Sequence, residues 1–249
     1  MRLIDRIRER RRVKSDLLPS AAPPAEGSVL ERMTQRGAAG RPNHDTETER
    51  VLGLDIERLD GVDLTEGLRT PSGQMSLRPL QSQALEAIRL NNGGFFPIGV
   101  GHGKSLIALL SGTVLGCEVA IILTPASTVG TLRQTYSETR GHFRMRKVRI
   151  LSYASLSQPS GTRLLEELTK AYGDHQVVLV CDEAHRVKRM ESARTKRLIR
   201  FLQKHPKVRF VALSGTMTSR SLQDFAHIAE LALRERSPVP RDEGHLRAW

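Results

Sequence analysis

A chain of 249 residues with 39% hydrophobic side chains has room for one sizeable core and little beyond it. No apolar run in it nears the roughly 18 to 20 residues of a membrane-spanning helix. Its formal charge of +12 says nothing about fold but favours a polyanionic partner, nucleic acid foremost, because clustered Lys and Arg attract phosphates through long-range potential and counterion release.

In chain order, residues 1–14 carry seven Lys/Arg against two acids, with Leu3, Ile4 and Ile7 at the spacing of a short basic helix. The acids Asp5 and Glu9 and the lack of an uninterrupted apolar stretch argue against a secretory or transit peptide, so the expected compartment is the cytoplasm. Residues 15–43, rich in Pro, Ala, Gly and Ser, read as a flexible linker. Residues 45–66 hold eight acids against Arg50 and Arg58; their apolar positions fit a helix or short strands equally well.

From Leu77 the pattern alternates. A helix is predicted over Arg78–Asn91, ending at Asn91-Asn92-Gly93-Gly94. Five short apolar runs follow: Phe95–Val100, Val119–Thr124, Val148–Leu151, Val177–Cys181 and Val208–Leu213. Helix-length stretches such as Leu106–Leu115 separate them, and a further helix, Ser221–Arg234, follows the last. Strands that are apolar throughout are covered on both faces, which predicts an α/β fold: a three-layer α/β/α domain on a mostly parallel sheet, preceded by the flexible extension. Cys117 and Cys181, each in or beside an apolar run, suggest neither a disulfide framework nor a zinc site.

Two segments carry chemistry. Gly99-Val100-Gly101-His102-Gly103-Lys104-Ser105 lies between a predicted strand and a predicted helix, the setting of a phosphate-binding loop. Its glycines turn backbone N–H groups inward, the helix N-terminus adds partial positive charge, and Lys104 reaches the β and γ phosphates while Ser105 holds Mg²⁺. His102 is read as a permissive position among the nucleotide-binding residues Gly101 to Ser105. The second segment ends the fourth run at Asp182-Glu183-Ala184-His185. An acid at the carboxyl end of an apolar strand suits Mg²⁺ coordination by Asp182, and Glu183 suits activation of the attacking water.

Together these segments resemble the phosphate loop and DEAH box of superfamily 2 helicases, and four further stretches agree in order. Leu77–Ala84 resembles the segment whose glutamine reads the adenine edge, which maps to Gln81. Leu123-Thr124-Pro125-Ala126 resembles motif Ia, implying nucleic-acid backbone contacts at Thr124 and Pro125. Ile150-Leu151-Ser152-Tyr153 resembles motif Ib of Snf2-type double-stranded DNA translocases. Leu213-Ser214-Gly215-Thr216 resembles motif III, implying that Ser214 and Thr216 couple the nucleotide to the nucleic acid through His185. The sequence departs from the general loop pattern at Ile98, where a glycine is usual, and carries Met217 where a proline usually follows motif III. The Ile98 departure favours helicase-type loops over GTPases and kinases of small molecules, whereas Met217 and the lack of the acidic lead-in of chromatin remodellers favour a phage or bacterial Snf2-like or restriction-type motor over a eukaryotic remodeller. The resemblance spans residues 77–235.

The resemblance implies a P-loop NTPase, RecA-like domain over 71–249, with 1–70 as basic arm, linker and acidic segment. It implies ATP and Mg²⁺ as cofactors and duplex DNA as partner. Such a motor needs a second RecA-like domain or subunit to supply an arginine finger; no second set of motifs follows motif III, so the chain reads as half of an ATP site with slow hydrolysis of its own. The alternatives are a nucleic-acid-binding or regulatory module with little ATPase activity and the motor fragment of a restriction system. Of the basic blocks, Arg144, Arg146 and Lys147 are the expected nucleic-acid contacts, since they precede the motif Ib stretch. The ten Lys/Arg against Glu191 in residues 186–209 include Arg194, Lys196, Arg197 and Arg200, which could equally line a solvated helix face.

Overall fold

The computed structural model describes residues 49–54, 58–216 and 222–240. The predicted basic helix and the linker lie outside the described residues. A five-stranded, all-parallel sheet forms the centre, with strands β1 (Gly94–Pro97), β2 (Val119–Thr124), β3 (Lys147–Ser152), β4 (Val177–Asp182) and β5 (Arg209–Ser214) in the spatial order β1-β5-β4-β2-β3. Helices α1 (Thr65–Leu68), α2 (Pro79–Asn91), α3 (Lys104–Val114), α4 (Val129–Thr139), α5 (Tyr153–Leu156), α6 (Pro159–Tyr172), α7 (Ala193–Lys204) and α8 (Ala226–Leu233) cover its two faces. This is a three-layer, RecA-like α/β/α domain. Among the described residues no helix is long and apolar enough to cross a membrane.

Alternation along each strand divides the core in two. Val119, Ile121 and Leu123 of β2 join Val177, Leu179 and Cys181 of β4 and Phe210 and Ala212 of β5 in one cluster, under α6, α7 and α8. The residues between them, Ala120, Ile122, Val178, Val180, Val211 and Leu213, face the other cluster, under α2, α3 and α4. Every residue of β2 and of β4 is buried, which is why these strands read as continuous apolar runs and not as an alternating pattern. Both cysteines lie in this core.

The elements begin and stop for local reasons. Pro79 opens α2 at a position that needs no backbone donor, after Arg78 in extended conformation, and the Gln81 carboxamide oxygen accepts the Arg78 N–H at 2.8 Å. Asn92, with φ 55°, ends it in the left-handed region. Ser192 caps α7 by accepting the Thr195 N–H.

Three sequence expectations are revised. The first strand stops at Pro97 instead of continuing to Val100: Pro97 has no donor for a ladder, Ile98 N–H turns back to the Phe96 carbonyl, and Val100 is 81% exposed. The last helix is shorter than Ser221–Arg234; a 3-10 turn over Leu222–Phe225 precedes α8, and Ser221 lies outside the described residues. Residues just before 71, set apart from the domain by composition, share its core. Leu68 is buried in the cluster beneath α2 and α3, and the Thr65 hydroxyl accepts the Leu77 N–H at 3.0 Å. Among its described residues the acidic run buries only Thr65, which leaves little period to read.

Leu179 sits at the centre of β4, fully buried. Leu179→Ala is expected to lower stability by about 2–5 kcal/mol, seen in urea unfolding as a lower midpoint at unchanged slope.

Candidate nucleotide and metal site

Because all five strands are parallel, their carboxyl ends share one edge of the sheet, and the loops after β1, β4 and β5 meet there. The loop after β1 runs from Ile98 to Gly103, with Gly101 (φ 84°) and Gly103 (φ 76°) in the left-handed region that favours glycine. Lys104 and Ser105 begin α3, so the loop closes on a helix N-terminus with its unpaired N–H groups and partial positive charge. Val100, Gly101 and His102 face solvent, whereas the Lys104 side chain folds inward and is buried.

The Lys104 ammonium donates to the Gly99 carbonyl at 3.2 Å and lies 3.5 Å from Glu183 Oε1. It therefore ties the loop after β1 to the acid after β4. Glu183 holds φ 56° and ψ 55°, a left-handed conformation that costs a non-glycine residue about 1–2 kcal/mol. That conformation turns the chain sharply at the strand end. Glu183 Oε2 in turn faces the Gly215 N–H at 3.5 Å and His185 Nδ1 at 3.3 Å, and His185 Nδ1 lies 3.1 Å from Thr216 Oγ1. Burial holds the His185 imidazole below the usual histidine range despite the nearby Glu183 carboxylate, so the ring is neutral near pH 7. A chain of contacts runs Lys104, Glu183, His185, Thr216 across the loops after β1, β4 and β5.

Asp182, the last residue of β4, is buried, and its Oδ2 accepts a hydrogen bond from Thr124 Oγ1 at 2.8 Å. Thr124 Oγ1 also lies 2.7 Å from Thr128 Oγ1, which donates to the Pro125 carbonyl. The Tyr153 hydroxyl, wholly buried, donates to the Asp182 carbonyl at 2.9 Å. Burial pushes the Asp182 carboxyl above its ordinary range; the Thr124 hydrogen bond opposes that, and the Glu183 charge adds to it. A buried carboxylate in this state gains most from a hard cation, and Asp182 with the half-buried Ser105 hydroxyl is an oxygen donor set that fits Mg²⁺, which takes few protein ligands and completes its shell with phosphate and water. Among the described residues there is no cluster of three or more His, Cys, Asp or Glu that could hold a metal ion.

Gln81 lies against the loop: its Nε2 donates to the Gly103 carbonyl at 3.2 Å, and a methyl group on Gly103 would sit 2.1 Å from that nitrogen. Arg78, to which the sequence reading gave no role, donates from its guanidinium to the Gly101 carbonyl at 2.8 Å. Ser214 is fully buried with its hydroxyl unpartnered among the described residues.

The expected nucleic-acid contacts do not assemble as one surface. Thr124 is wholly buried with its hydroxyl spent on Asp182 and Thr128, so its side chain reaches no surface; only Pro125 is partly exposed. Arg144, Arg146 and Lys147 lie at the amino edge of the sheet, the opposite side from the site. Lys147 begins β3 and stands over the Tyr172 ring at 5.0 Å, and the Arg144 carbonyl accepts from Thr113 near the end of α3. Close in sequence to Ile150–Tyr153, they are separated from the carboxyl edge by the length of β3. The Thr124 to Asp182 bond and the Tyr153 anchor were not foreseen; a hydroxyl ending one buried strand beside an acid ending its neighbour is the signal, and it needs the strand order to be read.

No protein-family model matches this chain, and no curated protein matches it. The reading of the site therefore rests on its own residues.

The raised Asp182 carboxyl has a thermodynamic consequence. Since its folded pKa lies above the ordinary 3.8, the unfolded chain ionises first, and the native state loses stability as pH rises through that window. In the presence of a chelator, Asp182→Asn is expected to raise the urea midpoint at neutral pH, with the gain vanishing as pH is lowered to 3.8.

Proposed function

We propose that this chain is the ATP-binding motor half of a superfamily 2 DNA helicase or double-stranded DNA translocase, coupling ATP hydrolysis to movement on duplex DNA. The observation that carries the reading is the Lys104 ammonium, held between the Gly99 carbonyl of the phosphate loop and the Glu183 carboxylate at the end of β4. A phosphate-binding lysine and a carboxylate base sharing one pocket is the arrangement phosphoryl transfer to water requires.

In this reading the N–H groups of Gly101 to Ser105 and the Lys104 ammonium bind the phosphates and orient the terminal one. Ser105 and Asp182 would hold Mg²⁺, which supplies charge neutralisation at the phosphoryl oxygens. Glu183 accepts a proton from the attacking water, and Lys104 leaves the carboxylate for phosphate as ATP enters. Gln81, already bonded to Gly103, has one amide hydrogen to spare and would read the adenine edge. His185 and Thr216 touch at 3.1 Å, which supports a role for them, with Ser214, in relaying the state of Glu183 to the nucleic acid. The solvent-facing side of the loop, Val100 to His102, is where a second RecA-like domain or subunit would add an arginine finger.

The test is steady-state ATPase activity of the chain with and without DNA, beside nucleotide binding by fluorescence. Lys104→Ala is expected to abolish both binding and turnover, and Glu183→Gln to keep binding while slowing turnover by about 10²–10⁴-fold. Turnover that survives Lys104→Ala would remove the loop from the mechanism.

A further inference from the structure

Among the described residues, the cations of the block after β4 divide into those with an internal partner and those without one. In residues 186–209 several basic side chains are engaged. Lys188 lies 3.6 Å from Asp224, Lys204 pairs with Glu166 at 2.8 Å, Arg197 donates to the Leu156 and Ser157 carbonyls, and Arg209 donates to the Leu115 carbonyl at 2.8 Å. Arg186, Arg189, Lys196 and Arg200 are different. All four are exposed, and none makes an ion pair or side-chain hydrogen bond among the described residues.

These four are also arranged. Lys196 and Arg200 are one helical turn apart on the outer face of α7, and Arg186 and Arg189 stand on the turn that leads from the end of β4 into that helix. Between Lys196 and Arg200 the surface dips into a mostly apolar hollow of about 330 Å³, completed by Met190, Ile199 and the single acid Glu191. Cations set around a low-dielectric wall concentrate their field toward solvent. Like charges at i and i+4 on a helix, Lys196 and Arg200 repel one another, and a polyanion laid across them relieves that repulsion.

We propose that this face, from Arg186 through Arg200, is a binding surface for the phosphate backbone of nucleic acid. It lies along α7 rather than at the motif Ia loop or the amino-edge block. A backbone contact matches the observations better than an acidic protein does. The hollow offers only Met190 as an exposed apolar anchor, with Ile199 buried at its floor, far less than the roughly 1,200 Å² of a stable protein interface demands, whereas cations without apolar contact suffice for phosphates. The inference rests on the reading that the chain acts on nucleic acid, and it does not depend on hydrolysis. Arg186 follows His185 directly, so a strand on this face adjoins the residues that contact Glu183 and Thr216.

The experiment measures binding of a fluorescein-labelled DNA duplex to the full chain by anisotropy, from about 50 to 200 mM salt. The combined variant Arg189→Gln, Lys196→Gln, Arg200→Gln is expected to reduce the slope of log affinity against log salt by about 2.7, at about 0.9 per phosphate contact. The charge-conserving Lys196→Arg is expected to keep the slope. Circular dichroism melts establish that each variant is folded; these are exposed positions, so they are expected to be. An unchanged slope in the triple variant beside a DNA-binding wild type overturns this surface alone. A wild type with no salt-dependent DNA affinity overturns both the surface and the nucleic-acid partner of the proposed function. Polyglutamate that competes as well as unlabelled DNA overturns the assignment to nucleic acid. A fall in slope for Arg144→Gln, Arg146→Gln, Lys147→Gln with none for the α7 set moves the contact to the amino edge and overturns the proposal.

Discussion

Insertion of β5 between β1 and β4 is the constraint from which the site follows. Parallel strands end on a common edge, and neighbours lie about 4.8 Å apart, so the loops after β1 and β4 stand two spacings from each other with the end of β5 between them. Only a long side chain closes that span, and Lys104 does so, crossing from the start of α3 to Glu183. Gly215 lies close under the crossing: a methyl group there would sit 3.0 Å from the Lys104 ammonium, a tight contact that the lysine tip would have to yield to. Strand order and the length of lysine thus act together at this edge.

The same arrangement concentrates unfavourable terms at the carboxyl edge. Glu183 adopts a left-handed backbone, Asp182 is ionised with difficulty because it is buried, and the Ser214 hydroxyl is buried without a partner among the described residues. The left-handed backbone and the unpaired hydroxyl each cost on the order of 1–3 kcal/mol in isolation. They persist because β2 and β4, buried along their whole length between two helical layers, hold the strand ends in place. A site assembled at the cost of stability is what is expected where a ligand restores the missing interactions. Thr124 and Tyr153 supply part of the compensation by hydrogen bonding to Asp182 from the neighbouring strand and from the first turn after β3.

Charge shows how far a count carries. The net charge and its three basic blocks are plain in the sequence, and they point to a polyanion. Which cations are free is a different matter. Lys147 stands over the Tyr172 ring, Arg209 is drawn into carbonyls at the amino edge, and Arg197 binds the end of α5, while Lys196 and Arg200, nearby on the same helix, form no ion pair among the described residues. Neutralisation depends on what packs against each turn of helix, and no local pattern reports it.

The strands β2, β4 and β5, helix α2 and the two chemical segments were legible because each depends on local features: continuous apolar runs, a proline at a helix start, glycines before a lysine, acids ending a buried strand. Those features determined an α/β domain with a glycine-rich loop before a helix and an acidic strand end. The early stop at Pro97 was legible in principle, since a proline donates nothing to a ladder. The tertiary structure alone decided that β5 lies between β1 and β4, that Leu68 belongs to the core, and that Thr124 faces Asp182 instead of solvent. It also carried Arg144 to Lys147 to the far edge of the sheet. The physical reason is common to all four. Periodicity along a chain records how deeply a segment is buried, whereas the identity of its neighbours is set by strand order and direction, which no single segment encodes.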